Sequence, residues 1–433
     1  MHARWRTSAA LCAAALLLAL TPAAPADGAA ADGAHWVATW TASPERRWDG
    51  DFPLPTNLPF TVWDQTLRQT VRASVGGRRL RIALSNAYGD APLRIDAAHV
   101  ALSAGGAALV AGSDRTLRFG GSTAVAIAPG ASVLSDPVEL EVAALAALSV
   151  SLNFAVPTPP ATFHWDARAT AYLIAGDHAG DAAFVPEATL TTRVFVDAVL
   201  VEAPARTRAV VAFGDSITDG NGSTVDADAR WPDALARRLA PRGVAVLNAG
   251  ISGNRLLRER MGASALARFD RDVLDPPGAA AAIVLIGIND IAWSRTPFAP
   301  DEPATSADML VAGYRQLVAR AHVRGLRIAA GTLTPFEGAL HDTPFAGYYD
   351  ADKERVRQAV NRWLRTSGEF DVVIDFDALL RDPARPTRLL PAYDSGDHLH
   401  PGDAGYAAMA DAIDAQALLD GGRSPSIHSG DAP

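Results

Sequence analysis

The chain has 433 residues, 49% of them hydrophobic, with one cysteine, one lysine (Lys353) and a formal net charge of −9. At about 150 residues per domain, that length predicts two or three domains. The acidic balance, with no basic stripe, argues against a nucleic-acid partner. Schiff-base catalysis is left with a single lysine in a charged helical stretch.

At the N-terminus His2, Arg4 and Arg6 precede an apolar run from Ala9 to Leu20 and then Thr21-Pro22-Ala23-Ala24-Pro25-Ala26. The run is shorter than the roughly 20 residues that span a bilayer, so it reads as a signal peptide over 1–26, cleaved after Ala26. Cys12 would leave with it, and a mature chain without cysteine has no disulfide, thiolate or zinc–cysteine chemistry. The expected location is therefore outside the cell or in the periplasm, with no membrane anchor after cleavage.

Residues 35–203 are expected to form an antiparallel β-sandwich domain. Leu80, Ile82 and Leu84 alternate with Arg79, Arg81 and Ala83. Val71, Ala73 and Val75 do the same, as do Leu148, Val150, Leu152 and Phe154. A period of two predicts strands with one buried face. Gly76-Gly77, Asn86, Gly105-Gly106, Gly120-Gly121 and Pro129-Gly130 supply turns. A junction is expected near Glu202–Arg206.

The pattern then changes. Ala209–Phe213 is a continuous apolar run, the mark of a strand buried on both faces. Further strands are predicted at Val244–Leu247, Ala282–Ile286, Leu326–Ala330 and Val372–Ile374. Helices are predicted at Trp231–Leu239, Ala307–Val323, Asp350–Leu364 and Asp403–Leu419. Alternating strands and helices imply an α/β domain over 207–420, with a parallel sheet covered on both sides. The polar tail 421–433 is expected to be disordered.

In such sheets function gathers at the C-terminal ends of strands. The segments found there are Gly214-Asp215-Ser216-Ile217-Thr218-Asp219-Gly220, Asn248-Ala249-Gly250 and Gly287-Ile288-Asn289-Asp290. Asp397-His398-Leu399-His400-Pro401 stands near the end of the chain. Together they offer a hydroxyl, a glycine, a carboxamide and a carboxylate–imidazole pair. Acyl transfer through serine needs a nucleophile, a base, an orienting group and oxyanion donors.

These four blocks, in this order, resemble those of the SGNH hydrolases, the GDSL esterase/lipase superfamily. The first half resembles more loosely the β-rich N-terminal region of some secreted bacterial members, through Trp36-x-x-x-Trp40, Arg68-Gln-x-Val-Arg72 and Leu84-Ser-Asn86. The resemblance implies a three-layer parallel-sheet catalytic domain behind a jelly-roll-like sandwich. It also implies a serine esterase that needs no cofactor or metal.

Ser216 would be the nucleophile, His400 the base and Asp397 the group that orients it. The family's oxyanion donors map to the backbone N–H groups of Ser216 and Gly250 and the side-chain amide of Asn289. A helix dipole behind Ser216 would assist. The last block often has glycine where His398 stands. His400 is preferred as base because it lies three residues from Asp397, within reach on one helical turn. Asp215 and Asp219 read as turn or cap formers, Asp290 as a structural acceptor, and Trp293 as either pocket wall or core. A metal held by Asp397, His398 and His400 would lack a fourth ligand and leave the serine and asparagine blocks idle.

The expected substrate is a carboxylic ester, first an acetylated polysaccharide and second a lipid acyl ester. From another class, a non-catalytic carbohydrate-binding protein is the alternative. The intact set of site residues weighs against it.

Overall fold

A computed structural model describes residues 33–48, 50 and 52–420. The leader expected over 1–26 and the tail 421–433 lie outside the described residues.

The N-terminal half is antiparallel and β-rich. One sheet is ordered Ala34–Thr41, Val196–Pro204, Gly77–Ser85 and Ser132–Leu134, and Val138–Val142 also pairs with Gly77–Ser85. A larger sheet has Gln65–Arg72 and Ala97–Gly105 on either side of Ala147–Phe154. Leu80, Ile82, Leu84, Leu148, Val150, Leu152 and Phe154 are all completely buried, as their alternation predicts.

The intervening residues of the central strand do not face water, as a half-buried strand would require. Ser149, Ser151 and Asn153 are also buried. The second face is roofed by chain that the buried Arg68 holds down. Its guanidinium donates to Ser151 Oγ at 2.8 Å and to the carbonyls of Ala107 and Asp181 at 2.5 and 2.8 Å. Satisfying the donors in this way makes a buried arginine tolerable.

The second half is an α/β unit. Its five parallel strands are ordered Val244–Gly250, Arg208–Gly214, Ala279–Leu285, Arg327–Gly331 and Val372–Ile374. In chain order this is 2-1-3-4-5. The chain leaves strand 1 on one side and returns past it to strand 3, so a crevice opens at the C-terminal end of Arg208–Gly214.

Helices form at Trp231–Leu239, Ala307–Val323 and Ala351–Thr366, each started by a cap or capping box. The single helix expected over Asp403–Leu419 is two, Asp403–Asp411 and Ala415–Asp420. Asp414 breaks it, because its carboxylate accepts from Gln416 N and Ala417 N as a fresh start signal.

The two halves share one continuous hydrophobic core. The strand Ala34–Thr41 lies against Val244–Gly250. Bonds from Ser74 Oγ to Val246 O (2.6 Å) and Ala38 N to Pro277 O (2.8 Å) stitch the seam. Among the described residues no helix is long and apolar enough to cross a membrane.

Candidate active site

The first parallel strand ends at Gly214, and the chain turns at once into one helical turn, Ser216–Asp219. Asp215 caps it, with its side chain accepting from Ile217 N at 3.1 Å. Burial pushes the Asp215 carboxyl up to about 7. Gly220, at φ 109°, ends the helix after four residues. The helix-dipole assistance expected for Ser216 is therefore corrected: a single turn aligns too few peptides to build a macrodipole.

His400 arrives from a separate loop near the C-terminus. Its Nε2 stands 2.8 Å from Ser216 Oγ, and its Nδ1 stands 2.6 Å from Asp397 Oδ2. Ser216 and His400 are 5% and 6% exposed, so their contact is shielded from bulk water while an edge stays open.

Asp397 and His400 are not on a helical turn as the spacing predicted. The segment is a bend in which Asp397 Oδ1 accepts from Leu399 N (2.9 Å) and His400 N (2.8 Å). A side chain, rather than backbone helix bonds, closes the loop. Burial alone would raise the Asp397 carboxyl. The charge of His400 and the hydrogen bonds it receives outweigh that and hold it well below the usual range.

His398 faces away from Ser216. Its Nδ1 lies 2.5 Å from Asp394 Oδ2, and its ring is 5.2 Å from that of His341. Its φ of 61° lies in the left-handed region, which explains why glycine suits this place in the block.

Asn289 sits in the short helix Ile288–Ala292, beyond the third strand, and is 2% exposed. Its Nδ2 donates to Asn254 O at 2.9 Å, and the Tyr348 hydroxyl donates to its Oδ1. A carbonyl can only accept, so this pairing fixes the amide's orientation and leaves one Nδ2 hydrogen for another acceptor. Asp290 accepts from Leu256 N (2.6 Å) and Leu257 N (2.9 Å), which holds the neighbouring loop beside Asn289. Lys353 Nζ donates to Ala292 O and Gly347 O, both at 2.7 Å, tying this helix to the Tyr348 segment. Trp293 is core: it is 2% exposed and stacked on Phe298 at 4.9 Å.

Gly250 is not an available donor. Its N–H is bound to Asn248 Oδ1 at 2.9 Å, and a Cβ there would stand 2.2 Å from Asp219 N. This glycine lets the edge strand pack against the Ser216–Asp219 turn. The free amide belongs to Gly253, three residues on, next to the Asn254 carbonyl that anchors Asn289. The N–H groups of Gly253 and Ser216 donate to no acceptor among the described residues. Motif spacing had pointed to the nearer glycine; only the hydrogen bonds distinguish the two. Tyr348 also escaped the sequence reading, because it lies in an irregular loop with no periodicity.

Asp219 reaches beyond its own turn. It faces His164 of the β-rich half at 2.9 Å and binds Ser252. Among the described residues, no group of three or more His, Cys, Asp and Glu side chains is arranged to hold a metal ion.

Residues 212–408 match the model of the GDSL-like Lipase/Acylhydrolase family. Among solved structures, the chain is similar to a GDSL-like lipase from Bacteroides thetaiotaomicron: 17% identity, 47% of this chain and 84% of that one, TM-score 0.35. It is also similar to an acetyl xylan esterase, at 22% identity over 47% and 96%, TM-score 0.35. A third is an α/β hydrolase from the metagenome of Lake Arreo in Spain, at 23% identity over 47% and 92%, TM-score 0.34. No curated protein matches the chain.

Proposed function

We propose that this protein cleaves carboxylic esters through an acyl-enzyme on Ser216, a reading supported by the match of residues 212–408 to the GDSL-like Lipase/Acylhydrolase family. The observation that carries the reading is the unbroken chain Asp397–His400–Ser216, with contacts of 2.6 and 2.8 Å. Ser216 Oγ attacks the ester carbon while His400 Nε2 takes its proton. That proton passes to the leaving alcohol as the C–O bond breaks. Water then attacks the acyl-enzyme, His400 takes its proton, and the acid leaves as Ser216 regains a hydrogen. Asp397 holds Nδ1–H, so Nε2 is the accepting nitrogen. The oxyanion would be met by the Ser216 and Gly253 amides and by the free hydrogen of Asn289 Nδ2.

The same reading takes the fold as a three-layer α/β domain behind a jelly-roll-like sandwich, and the segment 1–26 as a cleaved signal peptide. N-terminal sequencing of protein recovered outside the cytoplasm should begin at Asp27. The proposed substrate is a short-chain or O-acetyl ester of a carbohydrate. An open groove of about 1480 Å³ is lined from the β-rich half by Arg46, Trp48, Phe60 and Tyr88 and from the catalytic half by Glu259 and Arg260; Ser216, Asn289 and His400 are not in its walls, so it would hold a flanking part of a carbohydrate chain and not the scissile ester. Phe60 is 83% exposed and, just outside this lining, Trp63 is 60% exposed; flat apolar rings in water suit the faces of sugars. A lipid acyl ester is the second reading, supported by the Phe298–Phe345 stack at 4.4 Å, packed against the Tyr348 that binds Asn289.

A fluorophosphonate should label the wild type at Ser216, and Ser216→Ala should lose both labelling and turnover on a panel of acyl esters and acetylated glycans. Turnover retained in the alanine variant would remove Ser216. Folded wild type that neither labels nor turns over any ester would favour the carbohydrate-binding alternative.

A further inference from the structure

The buried charges left unused by the proposed chemistry gather where the β-rich half meets the nucleophile turn. Asp219 ends the turn that Ser216 begins and is 1% exposed. Its Oδ2 accepts from Ser252 N at 3.0 Å and Ser252 Oγ at 2.8 Å, one residue before Gly253. Its Oδ1 lies 2.9 Å from Nε2 of His164, which comes from the strand Thr162–His164 of the other half. His164 Nδ1 lies 3.1 Å from Ser43 O and 3.7 Å from Glu45 Oε1. A carbonyl and a carboxylate can only accept, so both ring nitrogens donate and His164 is an imidazolium. Asp219 compensates its charge, and completely buried Glu45, which burial pushes up to about 7, adds to that compensation only at higher pH.

A second strut starts from the same Ser43. Arg268 Nη1 bonds Ser43 Oγ (3.3 Å) and Ala249 O (2.7 Å). Its Nη2 bonds Gly214 O (2.8 Å), and its Nε bonds Asn254 Oδ1 (3.0 Å). The β-rich half therefore reaches the site through two residues of the catalytic half: Ser43 meets Arg268, which binds Gly214 before Ser216 and Asn254 after Gly253, and His164 meets Asp219, which binds Ser252.

We infer that the β-rich half is a working part of the active site, and that His164 is a positioning residue, acting through Asp219 and Ser252 to keep the Gly253 amide in register with Ser216 and Asn289. The inference rests on the ester-hydrolase reading above. Asp219 shares a rigid turn with Ser216, so the His164 contact bears on nucleophile and oxyanion donor together. A displacement of 1 Å at such a site costs about 100-fold in rate.

The charged groups around His164 are Glu45 from the strand Glu45–Arg46, Asp219, Asp166 just beyond its own strand, and the buried cation Arg193, its register partner in the strand Arg193–Val194. Burial disfavours the imidazolium. The Asp219 and Glu45 charges and the Ser43 carbonyl outweigh it and push His164 up to about 9. Above that pH one of the two acceptors loses its donor, and the register loosens.

The test compares full-length wild type, His164→Gln and Ser252→Ala on p-nitrophenyl acetate, together with peptide-level hydrogen exchange. His164→Gln should lower kcat by about 10- to 100-fold with KM changed less than about threefold. Its alkaline fall near pH 9 should disappear, and Ser252→Ala should lose about tenfold. Amides over 250–256 should exchange at least about tenfold faster in His164→Gln, with the strand Ala279–Leu285 unchanged. Unchanged kcat in both variants, or unchanged exchange over 250–256, overturns the inference. If His164→Gln does not fold, Ser252→Ala decides by the same two readouts. If the wild type hydrolyses no ester, the esterase reading fails by itself, and the exchange measurement still decides whether His164 holds this loop.

Discussion

Asp397→Asn is the substitution whose consequence the structure specifies most closely. Asp397 Oδ1 is committed to two backbone donors, Leu399 N and His400 N, and only Oδ2 meets His400. An asparagine keeps the loop closed only if its single oxygen takes the Oδ1 place, since an NH₂ there would face two N–H groups. Its NH₂ must then point at His400 Nδ1. A donor opposite Nδ1 makes that nitrogen the acceptor and moves the ring proton to Nε2, against Ser216. The base is then in the wrong tautomer. In serine triads that fault lowers kcat by about 10⁴, roughly 5 kcal/mol of transition-state stabilisation. Two of the three bonds survive, so the fold should be retained. The assay is kcat on p-nitrophenyl acetate beside a thermal melt. A kcat within about tenfold of wild type, in protein that melts normally, would refute this account of Asp397.

Asn289→Ala should lower kcat by about 10²–10³, and it strands the Tyr348 hydroxyl and Asn254 carbonyl at a cost of about 1–3 kcal/mol in urea unfolding; an unchanged kcat would remove Asn289 from the mechanism. Gly250→Ala should destabilise by about 1–3 kcal/mol, because its Cβ would strike the Asp219 backbone, and an unchanged urea midpoint would contradict the packing role. His398→Gly should keep turnover within about threefold and leave stability nearly level: relief of the positive φ, about 1 kcal/mol, offsets the half-exposed pair with Asp394. His400→Ala should be inactive; the reverse pattern would exchange the two histidines. The folded-state value of His164, about 9, lies above the ordinary histidine value of 6.5, so its stabilisation is complete below about pH 6.5 and is lost as pH rises through 9. Unfolding free energies from pH 6 to 10 should therefore fall at the alkaline end in wild type and not in His164→Gln.

Much of this protein was legible from local pattern alone. Completely buried Leu80, Ile82 and Leu84 and the helix Ala307–Val323 follow from periodicity, because an element that buries one face must repeat its apolar residues at its own geometric period. Ser216 and Asn289 stood out because each follows an apolar strand, whereas Asp397 and His400, and the roles of all four, were legible only through the resemblance of their blocks to the SGNH hydrolases. What lay beyond the sequence was every choice between neighbours and every contact between distant segments. Gly250 and Gly253 differ only in which amide is already bonded, and His398 and His400 in which way a bend turns each ring. The central strand Ala147–Phe154 reads as half-exposed until Arg68 roofs it. Asp219 reads as a turn residue until a histidine 55 positions away docks on it. Periodicity records what a segment does to its own two faces. Partners brought together by the sheet order and by the seam between the halves leave no local trace, and so the tertiary structure alone decided them.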